Sequence, residues 1–310
     1  MTLYEPLAPP RSEYLEIRGL RHHFRHWGDN GAPLLLALHG WMDSSASFQF
    51  IADRLAGAFH VVAPDWRGFG RTQWSGGDSY EVGDYLGDLD AFCRHLAPAA
   101  PVLLMGHSMG GNMAMLYAGV RPGRVAALVN LEGLGLPAVG PEAVPGRLRQ
   151  WLDEIVAGAR LSDYDNCDAY ALRLMRGNPR LSAAQAAFLA RENGCAQGNR
   201  WRPRADPAHK IVNRVAYRLE EVLACWREIA APVLWVEAAD SAARARMLAE
   251  PGYEDRLACV ASLQRVVVDG AGHMLHQDRP AEVAQLVADF LGPLATAKDG
   301  RPTMGAWNPP

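Results

Sequence analysis

The chain has 310 residues, 49% of them hydrophobic and 21% charged, and its 31 basic and 34 acidic side chains leave a formal charge of −3. A chain of this length buries a substantial core and accommodates one large α/β domain or two ordinary ones, while the balanced charge and the lack of a dense Lys/Arg run exclude nucleic acid as the expected partner. No apolar stretch reaches the roughly 18 to 20 residues that cross a bilayer, and Met1 to Pro10 has neither a basic n-region nor an apolar h-region, so the expectation is a cytoplasmic protein without a membrane span.

Taken in chain order, Tyr14 to Arg18 and Leu20 to Trp27 read as two paired strands, and His22, His23 and His26 within them as surface residues. Leu34 to Leu38, Val61 to Ala63, Val102 to Met105 and Val125 to Leu131 are short apolar runs bounded by Gly or Pro, the signature of buried strands. They alternate with helical stretches, which predicts a mainly parallel sheet covered on both faces. After Glu132 the character changes. Gly133 to Gly146 is rich in Gly and Pro, and Arg147 to Ala159, Cys167 to Arg176, Ser182 to Glu192 and Leu219 to Arg227 carry helical spacing with no clear strand among them. Strand character returns at Pro232 to Glu237 and at Leu263 to Val268, followed by an amphipathic helix over Pro280 to Leu291 whose leading proline suits a first helical turn. The expected organisation is a core domain over 1–136 and 229–294, a helical cap over 137–228 and a mobile tail over 295–310. Cys93, Cys167, Cys195, Cys225 and Cys259 form no C-x-x-C pair and read as free thiols.

The central chemical signal is Gly106-His107-Ser108-Met109-Gly110, set directly after one predicted strand and before a helical pattern. This is G-x-S-x-G in the context that gives it meaning: a tight strand-to-helix turn lifts the serine hydroxyl clear of the sheet, and only glycine fits where the two backbones approach. A serine hydroxyl needs a base to take its proton. His273 fits best, because Asp269-Gly270-Ala271-Gly272-His273 is a Gly-rich loop after the last predicted strand, at the same end of the sheet as Ser108. His276, one turn on, is a neighbour. Attack on a carbonyl builds charge on oxygen, which two backbone N–H groups can hold: that of Met109, and that of Trp41 in the turn Leu38-His39-Gly40-Trp41-Met42-Asp43, where His39 braces the loop. Asp65-Trp66-Arg67-Gly68-Phe69-Gly70 lacks the spacing of a nucleotide-binding loop, and packing beside the Ser108 pocket, with Arg67 or Trp66 at its rim, is the expected use.

These residues resemble the α/β-hydrolase superfamily, and within it the serine hydrolase-like (kraken-type) proteins. Leu38-His39-Gly40-Trp41, Pro64-Asp65-Trp66-Arg67-Gly68-Phe69-Gly70-Arg71-Thr72, Gly106-His107-Ser108-Met109-Gly110-Gly111 and Gly272-His273-Met274-Leu275-His276 stand in the family's order and span nearly the whole chain. The resemblance implies an α/β-hydrolase fold, with a mostly parallel central sheet flanked by helices and a helical cap inserted after the sixth strand. It implies acyl chemistry, since the haloalkane dehalogenases and epoxide hydrolases of this fold carry an aspartate where this chain has Ser108. Two-step hydrolysis through Ser108 would require no cofactor.

The third member of a Ser-His-acid set fixes the imidazole tautomer, and two strand ends can supply it. Asp240, in Glu237-Ala238-Ala239-Asp240-Ser241, sits at the family's usual location, although the usual G-x-x-D spacing would put the acid at Ser241. Glu132 closes the preceding strand, a location that some relatives use, and Glu237 is a further candidate. The expected activity is cleavage of a carboxylic ester or related acyl bond in a small substrate of apolar character. Trp151, Tyr164, Tyr170, Phe188, Trp201, Tyr217 and Trp226 would line an apolar pocket if they faced it, and packing among the cap helices is the favoured use for most. One rival is hydrolysis of a carbon–carbon bond in an acidic diketone, for which Arg67, Arg147 or Arg173 could bind the charge. The other is a non-catalytic ligand receptor on the same fold.

Overall fold

The computed structural model describes residues 4–295. Along the chain run β1 (Arg11–Ile17), β2 (Leu20–Trp27), β3 (Leu34–Leu38), α1 (Gln49–Leu55), β4 (His60–Pro64), α2 (Val82–Leu96), β5 (Val102–His107), α3 (Met109–Val120) and β6 (Val125–Leu131). An insertion follows, with α4 (Val144–Ala157), α5 (Cys167–Gly177), α6 (Ala183–Glu192), β7 (Gly194–Gln197), β8 (Arg200–Pro203) and α7 (Leu219–Arg227). The chain then returns through β9 (Val233–Ala238), α8 (Ala242–Leu248), α9 (Tyr253–Ala258), β10 (Leu263–Val268), α10 (Leu275–Asp278) and α11 (Pro280–Ala295).

Eight strands form one sheet in the order β1-β2-β4-β3-β5-β6-β9-β10. β2 runs antiparallel to β1 and β4, and the remaining neighbours are parallel. The inner strands are continuous apolar runs because both faces are covered. In β3, Leu36 and Leu38 enter one core with Phe92 of α2, Met113 of α3 and Trp226 of α7, while Leu35 and Ala37 enter the other with Ile51 of α1 and Val287 of α11. This is the period-2 alternation of a strand. A parallel sheet puts the C-terminal ends of β3, β5, β6, β9 and β10 along one edge, where ligands of open α/β sheets bind.

Two expectations differ from what is found. His22, His23 and His26 are buried, not surface residues, because β2 is an interior strand with β1 on one side and β4 on the other. His22 meets Phe92 edge-on and His23 bonds Asp65 at 2.7 Å. The insertion is not wholly helical: β7 and β8 pair as a short antiparallel hairpin whose exposed or half-exposed, charge-rich sequence gives little strand signal. The tail expected over 295–310 lies outside the described residues except for its first. Among the described residues no helix is long and apolar enough to cross a membrane.

Where α3 crosses α7, a Cβ on Gly119 would stand 1.9 Å from the carbonyl oxygen of Cys225. Gly119→Ala is therefore expected to destabilise the fold by about 1–3 kcal/mol through overpacking, despite the roughly 1 kcal/mol that alanine gains in helix propensity. Urea unfolding of the two proteins checks this.

Candidate active site

Ser108 joins β5 to α3 with φ 52° and ψ −115°, a backbone region that a residue with a Cβ avoids. The glycines around it explain how the turn is held. A Cβ on Gly106 would lie 2.4 Å from the Gly110 carbonyl oxygen, and one on Gly110 would lie 2.1 Å from that of Leu38. The start of α3 is thus pressed against the ends of β3 and β5 more closely than any side chain permits. The Ser108 N–H donates to the Leu131 carbonyl at 2.9 Å and the Ser108 carbonyl accepts from Asn112 at 3.0 Å, which locks the turn to β6 and to its own helix.

The sheet edge brings His273 to this serine. Its Nε2 lies 2.9 Å from Ser108 Oγ, and its Nδ1 lies 3.1 Å from Glu132 Oε2. His107 donates from Nε2 to the His273 carbonyl at 2.8 Å, so the residue before the serine fixes the backbone of the histidine. Glu132, buried at the end of β6, also has a positive φ of 57°. Its Oε1 accepts the Ala238 N–H at 2.7 Å and its Oε2 accepts the Ser241 hydroxyl at 2.5 Å. Asp240 is not brought to the imidazole; its half-exposed carboxylate pairs with Arg180 at 2.8 Å. Glu237 is buried beneath β9 and β10, where it pairs with Arg244 and Arg265. The sequence held a signal for this arrangement: the position at which the acid is usual carries Ser241, and that serine is a donor to Glu132.

Among the described residues the N–H groups of Trp41 and Met109 have no hydrogen-bond acceptor. The Trp41 turn is braced from below. His39, fully buried, donates from Nδ1 to the Gly40 carbonyl at 2.7 Å and accepts the Trp66 N–H on Nε2 at 2.9 Å. Asp65, which the sequence reading passed over, ties three segments together by accepting from Ser45 N–H at 2.7 Å, Arg71 N–H at 2.8 Å and His23 at 2.7 Å. Burial alone would raise the Asp65 carboxyl, but the His23 hydrogen bond and neighbouring positive groups hold it well below the usual carboxylate range.

A cavity of about 240 Å³ opens over Ser108 and His273. Trp41, Met42, Leu174, Leu181, Leu189 and Met274 give it apolar walls, and Asp43, His107, Arg173, Asn178, Asn193 and Gln277 join Ser108 and His273 as its polar members. None of the seven insertion aromatics lines it. Tyr170 belongs to the cluster that packs α5 and α6 on Phe50, Phe188 packs edge-on against Phe50, and Trp226 packs edge-on against Trp235. The pocket-rim expectation for Arg67 and Trp66 is corrected: both are buried away from the cavity, Arg67 in a two-pronged pair with Asp88 at 2.6 Å. His276 is buried on Ser47 Oγ at 2.6 Å, a neighbour of the site rather than its base.

Residues 34–286 match the alpha/beta hydrolase family, and the chain belongs to that family of hydrolases. It is 26% identical over 287 residues to a serine hydrolase-like protein of Danio rerio, spanning 90% of this chain and 86% of the relative. It is 27% identical to the lipase LipV of Mycobacterium tuberculosis over 87% of this chain and 98% of that protein. Among solved structures, the thioesterase domain from the curacin biosynthetic pathway superposes with a TM-score of 0.81 at 27% identity, covering 90% of this chain and 99% of that domain.

Removing the buried Asp65 charge from its partners is expected to cost about 3–5 kcal/mol at neutral pH. Because the folded carboxyl is depressed, that stabilisation is fully present above the unfolded carboxyl value of about 3.9 and fades as pH falls below it toward the folded one. The stability gap between wild type and Asp65→Asn in urea should therefore be constant from about pH 7 down to about pH 4 and narrow below.

Proposed function

We propose that the protein is a serine hydrolase of carboxylic esters with small acyl groups, in which Ser108 is the nucleophile, His273 the general base and Glu132 the acid that orients it. The observation that carries this reading is the continuous relay from Ser108 Oγ to His273 Nε2 at 2.9 Å and from His273 Nδ1 to Glu132 Oε2 at 3.1 Å. With Glu132 accepting from Nδ1–H, the neutral imidazole presents its Nε2 lone pair to the serine. As Ser108 Oγ bonds to the carbonyl carbon, its proton passes to Nε2, and the Glu132 carboxylate stabilises the imidazolium that forms.

The oxygen of the tetrahedral intermediate takes the negative charge, and the N–H groups of Trp41 and Met109 are the donors for it, Met109 with the added positive end of the α3 dipole. Collapse expels the alcohol with the proton from His273. Water then attacks the acyl-serine by the same path and restores the hydroxyl. No step calls for a cofactor. The Ala238 N–H and the Ser241 hydroxyl also donate to the Glu132 carboxylate and fix its position. A cavity of about 240 Å³ suits a short acyl chain.

A second reading, narrower in substrate, follows from Arg173. This guanidinium lines the cavity and has no ion-pair partner among the described residues, and of the three arginines weighed for an acidic substrate it alone lies there: Arg67 is paired with Asp88 and Arg147 donates to the Asn213 carbonyl. An unpaired cation over the nucleophile favours a substrate that carries a carboxylate.

Labelling with a fluorophosphonate probe, located by mass spectrometry, tests the machinery. The expectation is one adduct per chain at Ser108, lost in Ser108→Ala, slowed about 10³- to 10⁴-fold in Glu132→Gln and within a few-fold of wild type in Asp240→Asn; a reversed order for the two acids would sink the Glu132 assignment. For the second reading, a pair of esters matched in size, one neutral and one bearing a terminal carboxylate, is compared in Arg173→Gln. KM should rise about tenfold for the anionic ester alone.

A further inference from the structure

Beneath the Ser108 turn, Asp43 from the loop after β3, His107 at the end of β5 and His276 in α10 bring one potential ligand atom each within 4.8 Å of one another. None of these atoms belongs to the proposed relay. Asp43 Oδ2, His107 Nδ1 and His276 Nδ1 are all buried and have no hydrogen-bond partner among the described residues. The two histidine residues are 2% and 0% exposed.

Following the protons shows what this cluster lacks. His107 Nε2 lies 2.8 Å from the His273 carbonyl oxygen, which can only accept, so Nε2 carries the proton and Nδ1 presents a lone pair. Ser47 Oγ receives an N–H from Gln277 at 2.8 Å and lies 2.6 Å from His276 Nε2. With its proton on Nε2 and donated to that same oxygen, His276 also presents its Nδ1 lone pair to the cluster. Asp43 Oδ1 already accepts from Ser44 N–H at 2.9 Å and from the Asn193 amide at 3.3 Å, which leaves Oδ2 as the third acceptor. In this arrangement three buried acceptor atoms converge, and none of them has a hydrogen-bond partner among the described residues. A buried polar group left this way is costly, and a water molecule has two protons for three acceptors. A cation satisfies all three.

The geometry points to a binding site for one divalent transition-metal ion, Zn²⁺ or a close neighbour, held by Asp43 Oδ2, His107 Nδ1 and His276 Nδ1 behind the nucleophile. Two neutral imidazoles and a carboxylate suit Zn²⁺ and the later first-row ions, whereas Mg²⁺ and Ca²⁺ prefer oxygen throughout. Burial pushes both imidazoles down, His276 to about 3 with His273 adding to the shift, so each is neutral and able to ligate; burial also pushes the Asp43 carboxyl up, so the ion displaces any proton that Asp43 holds. The second shell is already built: His107 donates its other N–H to a backbone carbonyl and His276 its own to Ser47, the arrangement that orients metal-binding histidines. An ion at about 2.1 Å from each ligand sets tetrahedral donors roughly 3.3 Å apart, so binding draws the side chains inward by up to about an ångström. His107 cannot move in this direction without pulling on the hydrogen bond that holds the His273 backbone. The metal is thereby an inhibitor: it shifts His273 away from Ser108. This second clause rests on the hydrolase reading, and the binding clause does not.

The full-length protein, dialysed against a chelator, is titrated with Zn²⁺ by calorimetry and with Co²⁺ by visible absorption, and fluorophosphonate labelling is followed in the same samples. The expected result is one ion per chain, an absorption band from Co²⁺ bound to nitrogen and oxygen ligands, and affinity weakened at least about tenfold in Asp43→Asn and in His276→Gln. Circular dichroism and thermal melting establish that each variant is folded; should His276→Gln fail this check, the near-isosteric Asp43→Asn decides. No saturable binding to wild type, or an affinity unchanged in the folded variants, overturns the site. Saturating metal that leaves the labelling rate of Ser108 unchanged overturns the inhibition. Stoichiometric metal binding by a protein that is never labelled sinks the hydrolase reading and leaves the site standing.

Discussion

The structure depends on how closely the start of α3 approaches the ends of β3 and β5. At this contact there is room for backbone only, and Gly106 and Gly110 supply it. The chain can then reverse from strand to helix within one residue, which puts Ser108 at φ 52° and ψ −115°. A strained serine is stable only when the surroundings over-determine it, and they do so here through hydrogen bonds to Leu131 on one side and Asn112 on the other. The same approach places the first N–H of α3 beside the serine hydroxyl and the Gly40 turn opposite it. Hydroxyl, helix dipole and loop are therefore consequences of one packing constraint.

Glu132 repeats the theme one strand away. It too has a positive φ, and its backbone is pinned by a hydrogen bond to Val236 at 2.9 Å while Asn130 closes the following turn on Gly133. Neighbouring parallel strands thus each end in a strained residue whose side chain belongs to the proposed relay, and His273 reaches between them from the loop after β10. A carboxylate at the end of β6 is nearer in the sheet order to β5 than one at the end of β9. The loop after β9 contributes Ser241, whose hydroxyl meets the glutamate, and Asp240 is left for a surface pair with Arg180.

What could be read from the chain follows from how local each signal is. The strands β3 and β6 have the bounds their apolar runs suggested, because burial on both faces writes itself into consecutive residues. The meeting of Ser108 with His273 was legible because a turn after a strand is a short-range pattern. Which of Asp240 and Glu132 reaches His273 was not, since both close a strand and only the three-dimensional order of β5, β6 and β9 separates them. The histidines of β2 were misread for a related reason: polar residues look like surface until Asp65, Asp88 and Phe92, distant in sequence, are seen to enclose them. The cavity walls are equally non-local, since Arg173, Asn178 and Leu189 reach Ser108 only after α5 and α6 fold back over the sheet edge.

The way the insertion is attached bears on how the cavity can select. Its α5 and α6 bury Tyr170, Leu181 and Leu189 against Phe50 of α1, and Glu192 at the end of α6 pairs with Arg25 and Arg71 of the core. Asn193 adds an amide contact to Asp43 and accepts from Ser44. By contrast α4 buries none of its residues and leaves Leu148, Leu152 and Val156 exposed. Local opening follows the density of buried contacts, so α4 is the part of the insertion that opens at least cost, and α5 and α6 are the parts that hold their place. The residues that line the cavity come from α5, α6 and the segments that flank them, not from α4. The space above Ser108 is therefore shaped before a substrate arrives, and discrimination falls to the fit and charge of fixed walls.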